Sequence, residues 1–326
     1  MLEMESSIKL SDFKPSDMRR QVLTTKELID ILHLDNAECA RLYKDEGKWS
    51  SRQMSTFIES MLMDLPQEPI IADSSFGNWF IIKGLEQLNA ISRFVTGQLT
   101  LTNIYFRSEL YYGKSWDDLS LTSKQKINNL KFEVYVVNKS VDACTRFGLY
   151  LLLNPAATFK RMNDYRHDLF PVGYSTFNSW IRGKLNMSEI SDKQKKNLPR
   201  LELILLHLLL LYTYAHNSSF ESLLRVNIEY ASNYPLVGLE INDLDDFEKE
   251  YSLTRLFENS QRLETLTSFR APMKAETYLI ANALGVKKLE QSFEEIWKDI
   301  IQIIKYKYSS LEEMLSIRDY IKNKFI

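Results

Sequence analysis

The run Asn78-Trp79-Phe80-Ile81-Ile82-Lys83-Gly84-Leu85-Glu86-Gln87-Leu88-Asn89-Ala90-Ile91 decides the fold. Trp79 to Ile82 is a short apolar segment of the kind that forms a buried strand, and Gly84 breaks it. Leu85, Leu88, Ile91 and Val95 then recur at spacings of three and four, which predicts a helix opening directly after the glycine. Upstream, Glu68-Pro69-Ile70-Ile71-Ala72-Asp73-Ser74-Ser75-Phe76-Gly77 predicts a first strand and a turn. The unit reads strand, turn, strand, glycine, helix. Peptide N–H groups at such a helix start have no partner within the helix, and the helix dipole adds positive potential there. Lys83-Gly84 is therefore the first place to look for a bound anion such as phosphate. The plainer alternative is that Gly84 only makes a tight turn.

Working outward, residues 1–23 are polar and read as a leader. Thr24-Thr25-Lys26-Glu27 fits a capping box ahead of a short helix, and Ser50-Ser51-Arg52-Gln53 fits a second one. Phe57, Ile58, Met61 and Leu62 form one apolar face after it, and Leu65-Pro66 closes that helix. Gly97 ends the helix that follows Gly84, and the alternation from Gln98 to Arg107 predicts one or two strands. Tyr112-Gly113-Lys114-Ser115 resembles part of a phosphate-binding loop, but Ser108 stands where that motif needs its first glycine. Thr122 with Gln125 starts another short helix, and Phe132 to Asn138 is the clearest strand.

Beyond Val141 the pattern is helical throughout. Helices are predicted at 146–154, 160–169, 176–185, 199–216, 218–232, 245–260, 275–284, 288–307 and 310–324, with Ser310 and Glu313 capping the last. Phe293, Ile296, Trp297, Ile300 and Ile304 form a stripe with the helical period, which reads as core. The fold class is α+β. A mixed domain covers 24–170, a helical domain covers 171–326, and Phe170-Pro171 marks the boundary.

The totals narrow the function. Net charge is −2 over 326 residues, and acidic and basic residues are shared evenly between residues 1–170 and the remainder. No basic lobe exists to neutralise a nucleic-acid backbone, so net charge does not support nucleic-acid binding. Two cysteines, Cys39 and Cys144, make no disulfide framework, and no Cys/His cluster suggests a metal. The longest apolar run, Leu201 to Tyr214, is interrupted by Glu202, His207 and Thr213 and falls short of the ~20 apolar residues of a membrane span. A cytoplasmic protein without a membrane segment is expected. His207 within that run reads as a core histidine. His167, beside Arg166, is the one histidine near the presumed site.

Several segments together resemble a bacterial family with a ParB/sulfiredoxin-like N-terminal domain, found in GmrSD-type (type IV, modification-dependent) restriction systems. They are Lys48-Trp49-Ser50, Phe57-Ile58-Glu59-Ser60-Met61-Leu62-Met63-Asp64-Leu65-Pro66, Pro69-Ile70-Ile71 and Phe80-Ile81-Ile82-Lys83-Gly84-Leu85-Glu86-Gln87-Leu88-Asn89-Ala90. A second signature of that family is matched in spacing by Leu153-Asn154-Pro155-Ala156-Ala157 and Met162-Asn163-Asp164-Tyr165-Arg166. The two matches span residues 24–170.

The resemblance implies a nucleotide-binding and hydrolysing turn of sequence Asp-Gly-Gln-Gln-Arg. Here Lys83-Gly84-Leu85-Glu86-Gln87 stands in its place. A lysine replaces the aspartate and a glutamine replaces the arginine, so a carboxylate and a bidentate phosphate clamp are both gone. By the resemblance, Lys83, Gly84, Leu85, Glu86, Gln87, Asn154 and Arg166 are the residues to hold a nucleoside triphosphate with magnesium, if one binds. Glu86 and Asp164 are the candidate catalytic carboxylates. No histidine follows His216, so the His-Asn-His nuclease domain often carried by that family is not expected.

Three functions stay open from the sequence. The first is a non-catalytic or weakly nucleotide-binding component of a bacterial defence system, such as phage defence, or of a regulatory one. The second is a working nucleotide hydrolase with a rearranged site. The third is a helical interaction scaffold. A protein partner or a homo-oligomer is expected in each.

Overall fold

A computed structural model describes residues 13–34, 49–74, 79–155, 157, 159–185, 192–195, 198–216, 223, 227–251, 277, 278, 280, 281, 284, 286, 289–304 and 310–326. The expected turn at Ser75-Phe76-Gly77-Asn78, Cys39, most of the helix expected at 218–232 and part of that at 275–284 lie outside the described residues. The chain divides into two compact units. One comprises the described residues of Asp12–Asp142 with Leu152–Pro155, and the other those of Ala143–Leu151 and Ala156–Ile326.

The first unit is built on a four-stranded mixed sheet. Its strands are β1 (Met18–Thr24), β2 (Ile70–Asp73), β3 (Phe80–Lys83) and β4 (Lys131–Val137), in spatial order β1-β4-β2-β3. β1 runs antiparallel to β4, β4 parallel to β2, and β2 antiparallel to β3. Helices α1 (Thr25–Leu34), α2 (Ser51–Leu62), α3 (Leu85–Val95) and α4 (Leu121–Asn129) belong to the unit, with a single helical turn at Ser108–Tyr111 between the last two. Alternation along β4 turns Phe132, Val134 and Val136 into one core with Ile58, Met61, Ile70, Ile81, Leu88, Ile91 and Phe94. The expected capping boxes form. The Thr24 N–H donates to Glu27 while Thr24 Oγ1 accepts from the Glu27 N–H, and Ser50 and Gln53 do the same. Helix α4 is capped by Ser120, which accepts from the Ser123 N–H, and not by Thr122.

Three expectations are corrected in this unit. Residues 18–23 are not leader but part of edge strand β1, whose polar sequence hides it: none of its residues is fully buried, and Arg19, Arg20 and Val22 are exposed. The segment 98–107 is not strand among the described residues. Side chains of α2 take the peptide donors a ladder would need: Glu59 accepts from the N–H groups of Tyr105 and Phe106, and Ser55 Oγ from that of Thr102. The third correction concerns the domain boundary, which falls near Asp142 and not at Phe170-Pro171. Pro171 is the first residue of a helix whose cap is Phe170, and the Phe170 N–H still bonds to the Arg166 carbonyl. The pair makes a helix-to-helix corner inside one unit.

The second unit is helical among its described residues, apart from an isolated bridge between Asn227 and Ser310. It holds most of α5 (Ala143–Leu153), then α6 (Phe159–Leu169), α7 (Pro171–Lys184), α8 (Leu198–His216), α9 (Ile241–Tyr251), α10 (Leu289–Ile304) and α11 (Leu311–Phe325). Helix α8 is long and apolar enough, by length and composition, to cross a membrane. Its residues Leu201 to Leu211 are buried in the unit, as in a core helix. On α10, Phe293, Ile296 and Ile300 are buried, as their spacing predicts. The close approach of α7 to the turn at Tyr234–Leu236 requires glycine. A Cβ on Gly173 would lie 1.9 Å from the Leu236 carbonyl oxygen.

Candidate functional site

β3 ends at Lys83, and Gly84 takes φ +98° and ψ +10° before α3 begins at Leu85. That conformation is left-handed, which residues with a Cβ adopt at a cost. A Cβ at Gly84 would also meet Gln87 Oε1 and Ile70 Cγ1, each at 3.0 Å. The glycine is therefore required twice, by backbone and by packing. No side chain caps α3. Its opening turn consequently offers an anion the positive end of the helix dipole.

The residues around this turn hold the protein together. Lys83 is half-exposed, and its Nζ lies 3.6 Å from Glu68 Oε2, an exposed and hence weak ion pair. Leu85 is buried in the sheet core and presents nothing to solvent. Glu86 is partly exposed in the first turn, where a carboxylate complements the dipole. Gln87 is buried, its Nε2 lies 3.5 Å from the Glu68 carbonyl oxygen, and its buried Oε1 has no hydrogen-bond partner. Asn154 donates from Nδ2 to the Ile82 carbonyl oxygen at 2.8 Å, tying down the outer strand one residue before Lys83. Lys83, Gly84, Glu86, Gln87 and Asn154 thus share one end of the first unit.

Asp164 and Arg166 belong to the second unit. Asp164 is exposed, whereas Arg166 is fully buried. Arg166 donates from Nε to Asn233 Oδ1 and from Nη1 to Asn163 Oδ1, both at 2.8 Å, and its guanidinium lies 4.6 Å from the centroid of the Phe147 ring. Arg166, which the resemblance offers as a nucleotide-holding residue, has a structural part here: it ties α6 to Asn233 in the segment after α8.

The network continues. Asn163 Nδ2 donates to Glu202 Oε2 at 2.7 Å, and the Tyr174 hydroxyl donates to the same oxygen at 2.8 Å. Burial raises the Glu202 carboxyl above its ordinary range, against the hydrogen bonds from Tyr174 and Asn163 and the charges of Arg182 and Arg166. Burial first, and then the neighbouring Glu202, raises the Tyr174 hydroxyl. Asn163, Tyr174, Glu202 and Asn233 were not singled out as site residues in the sequence. The available signals were a glutamate inside an otherwise apolar helix, and Asn163 with Arg166 one helical turn apart.

Chemically, the turn at Gly84 offers an ammonium and a helix N-terminus, which attract anions. The Arg166 cluster offers buried hydrogen bonds among Arg166, Asn163, Asn233, Glu202 and Tyr174. Among the described residues, no group of three or more His, Cys, Asp or Glu side chains is placed to hold a metal ion. No protein-family model, curated protein or solved structure matches the chain.

Proposed function

We propose that the chain is a ParB/sulfiredoxin-like protein in which the nucleotide turn has become a structural joint. It serves as a non-catalytic, at most weakly nucleotide-binding component of a bacterial defence or regulatory system. One observation carries this reading. Three of the polar groups that the resemblance assigns to nucleotide are engaged with the protein itself: Gln87 beside the Glu68 carbonyl, Asn154 on the Ile82 carbonyl, and Arg166 on Asn163 and Asn233. Hydrolysis needs a group to position water or metal, and donors aimed at the charge developing on the phosphoryl oxygens. In this sequence a lysine and a glutamine replace the aspartate and arginine of the family's turn.

The test is magnesium-dependent phosphate release from ATP and GTP by the full chain. Release indistinguishable from a protein-free control is expected. Any nucleotide that binds is expected to do so weakly and to respond to Lys83→Ala. Robust release that Glu86→Ala with Asp164→Ala abolishes would overturn the proposal and make the chain a hydrolase.

A further inference from the structure

The segment between α3 and α4 displays an unusual surface. Tyr105, Phe106, Leu110 and Tyr112 are 63%, 60%, 52% and 66% exposed. Four large apolar side chains within eight residues of sequence form a patch of the kind that marks an interaction site. They do not hang from a loose loop. Ile104 just before them, Tyr111 between Leu110 and Tyr112, and Trp116 just after pack against the sheet core. The Leu101 N–H bonds to the Lys114 carbonyl and the Gly113 N–H to that of Leu101, both at 2.8 Å, so the base of the segment is closed. The Glu59 carboxylate, itself buried, accepts from the N–H of Tyr105 at 2.9 Å and from that of Phe106. A buried carboxylate on two peptide donors fixes the backbone that carries the aromatics, and such preorganisation lowers the ordering cost of association.

The charges around the patch decide what it fits. The exposed cations are Arg52, Arg107 and Lys114, and the exposed anions are Glu109, Asp117 and Asp118. The signs balance and interleave with the aromatics. A nucleic-acid surface would need cations in excess. A two-fold contact between identical chains needs the opposite, a patch complementary to itself. Arg107 and Glu109 are exposed two positions apart between Phe106 and Leu110, so a dyad through the patch can bring each to the other.

We propose that this face docks a second copy of the chain. In the resulting two-fold dimer, Arg107 of each copy meets Glu109 of the other beside the packed aromatics. Aromatic side chains bury about 150–250 Å² each when fully covered. Only 52% to 66% of each of these side chains is exposed, so roughly 350–550 Å² remains to be covered on the four together, below the roughly 800 Å² per partner of a standard interface. The dimer is accordingly one that dissociates on dilution, with a dissociation constant in the micromolar range.

The experiment is sedimentation or light scattering on the full chain from about 1 to 200 µM, concentrations that bracket a micromolar constant. The mass is expected to rise from 38.3 kDa towards twice that value. Tyr105→Ala with Phe106→Ala is expected to weaken association at least about tenfold. Arg107→Glu alone and Glu109→Arg alone are each expected to be monomeric, because like charges then face each other across the dyad. An equimolar mixture of these two single variants is expected to associate again, since every contact once more joins a carboxylate to a guanidinium. That recovery also shows that both variants are folded. A chain that stays at 38.3 kDa at the highest concentration, which would assign the patch to some other occupant, overturns the proposal. So does a dimer indifferent to the aromatic double variant, or a mixture that fails to associate while both variants keep the wild-type circular dichroism.

Discussion

Arg166→Met separates a structural arginine from a phosphate ligand. The substitution keeps an apolar stem of similar reach and removes the guanidinium. Two buried amide oxygens, on Asn163 and Asn233, then lose their charged donor. Each such loss costs about 1–3 kcal/mol. Contact with the Phe147 ring, at 4.6 Å, is lost as well, worth up to about 2 kcal/mol when desolvated. The methionine returns part of this through its own burial, so the expected destabilisation is about 3–5 kcal/mol, the range for breaking a buried charged cluster. Arg166→Lys keeps the charge but has no planar fork to reach both oxygens, so it should fall between wild type and Arg166→Met. Urea unfolding followed by far-ultraviolet circular dichroism measures the change. Amide exchange should locate it, with faster exchange in α6, α7 and α8 and unchanged protection in the sheet. A ligand arginine without its ligand contributes nothing to the fold and often costs stability. A midpoint for Arg166→Met within about 0.5 kcal/mol of wild type, the scatter of ordinary surface changes, would therefore refute the reasoning and return Arg166 to the list of binding residues.

Gly84→Ala should destabilise the first unit by about 2–4 kcal/mol. The left-handed backbone accounts for about 1–2 of this, and crowding against Gln87 and Ile70 at 3.0 Å for the rest; a change below about 0.5 kcal/mol would show that the turn relaxes freely. Glu202→Gln tests the buried carboxyl through pH. Because burial holds the folded carboxyl above its unfolded value, its contribution to stability is greatest below the unfolded value and is lost as pH rises through the folded one. The glutamine variant does not titrate at that position, so its stability relative to wild type should increase as pH rises from the acid side towards neutrality. A difference that is flat in pH, measured by denaturant unfolding at several pH values, would contradict the assignment.

What was legible in the sequence was local. The capping boxes at Thr24–Glu27, Ser50–Gln53 and Ser310–Glu313 join residues three apart, and all three form. The break at Gly84 needs only its neighbours to be seen, and the apolar period of α3 and α10 needs only one helix. What was hidden depends on distance along the chain. Residues 98–107 alternate like a strand, but Glu59 and Ser55, more than forty residues upstream, claim their peptide donors. The partners of Arg166 and Asn163 include Asn233 and Glu202, 67 and 39 residues away. Strand β1 carries consecutive arginines on a sheet edge and needs β4, more than a hundred residues later, to exist as a strand at all.

The same distances bear on the candidate site. Asn154 looks like a ligand residue because its amide sits in a recognisable spacing, yet a carboxamide beside an outer strand has a second use. It can satisfy a carbonyl that has no further strand to pair with, and the Ile82 carbonyl is in that position. Gln87 is comparable: an amide buried beneath a left-handed glycine fills the space that a Cβ would take. Once such groups support the turn, a nucleotide that recruited them would have to break the bonds that shape the turn receiving it. Lys83 is under no such constraint, because its pairing with Glu68 is exposed and easily exchanged. On the proposed function, anion attraction at this turn therefore persists without catalysis, and Lys83 is the residue through which such binding would act.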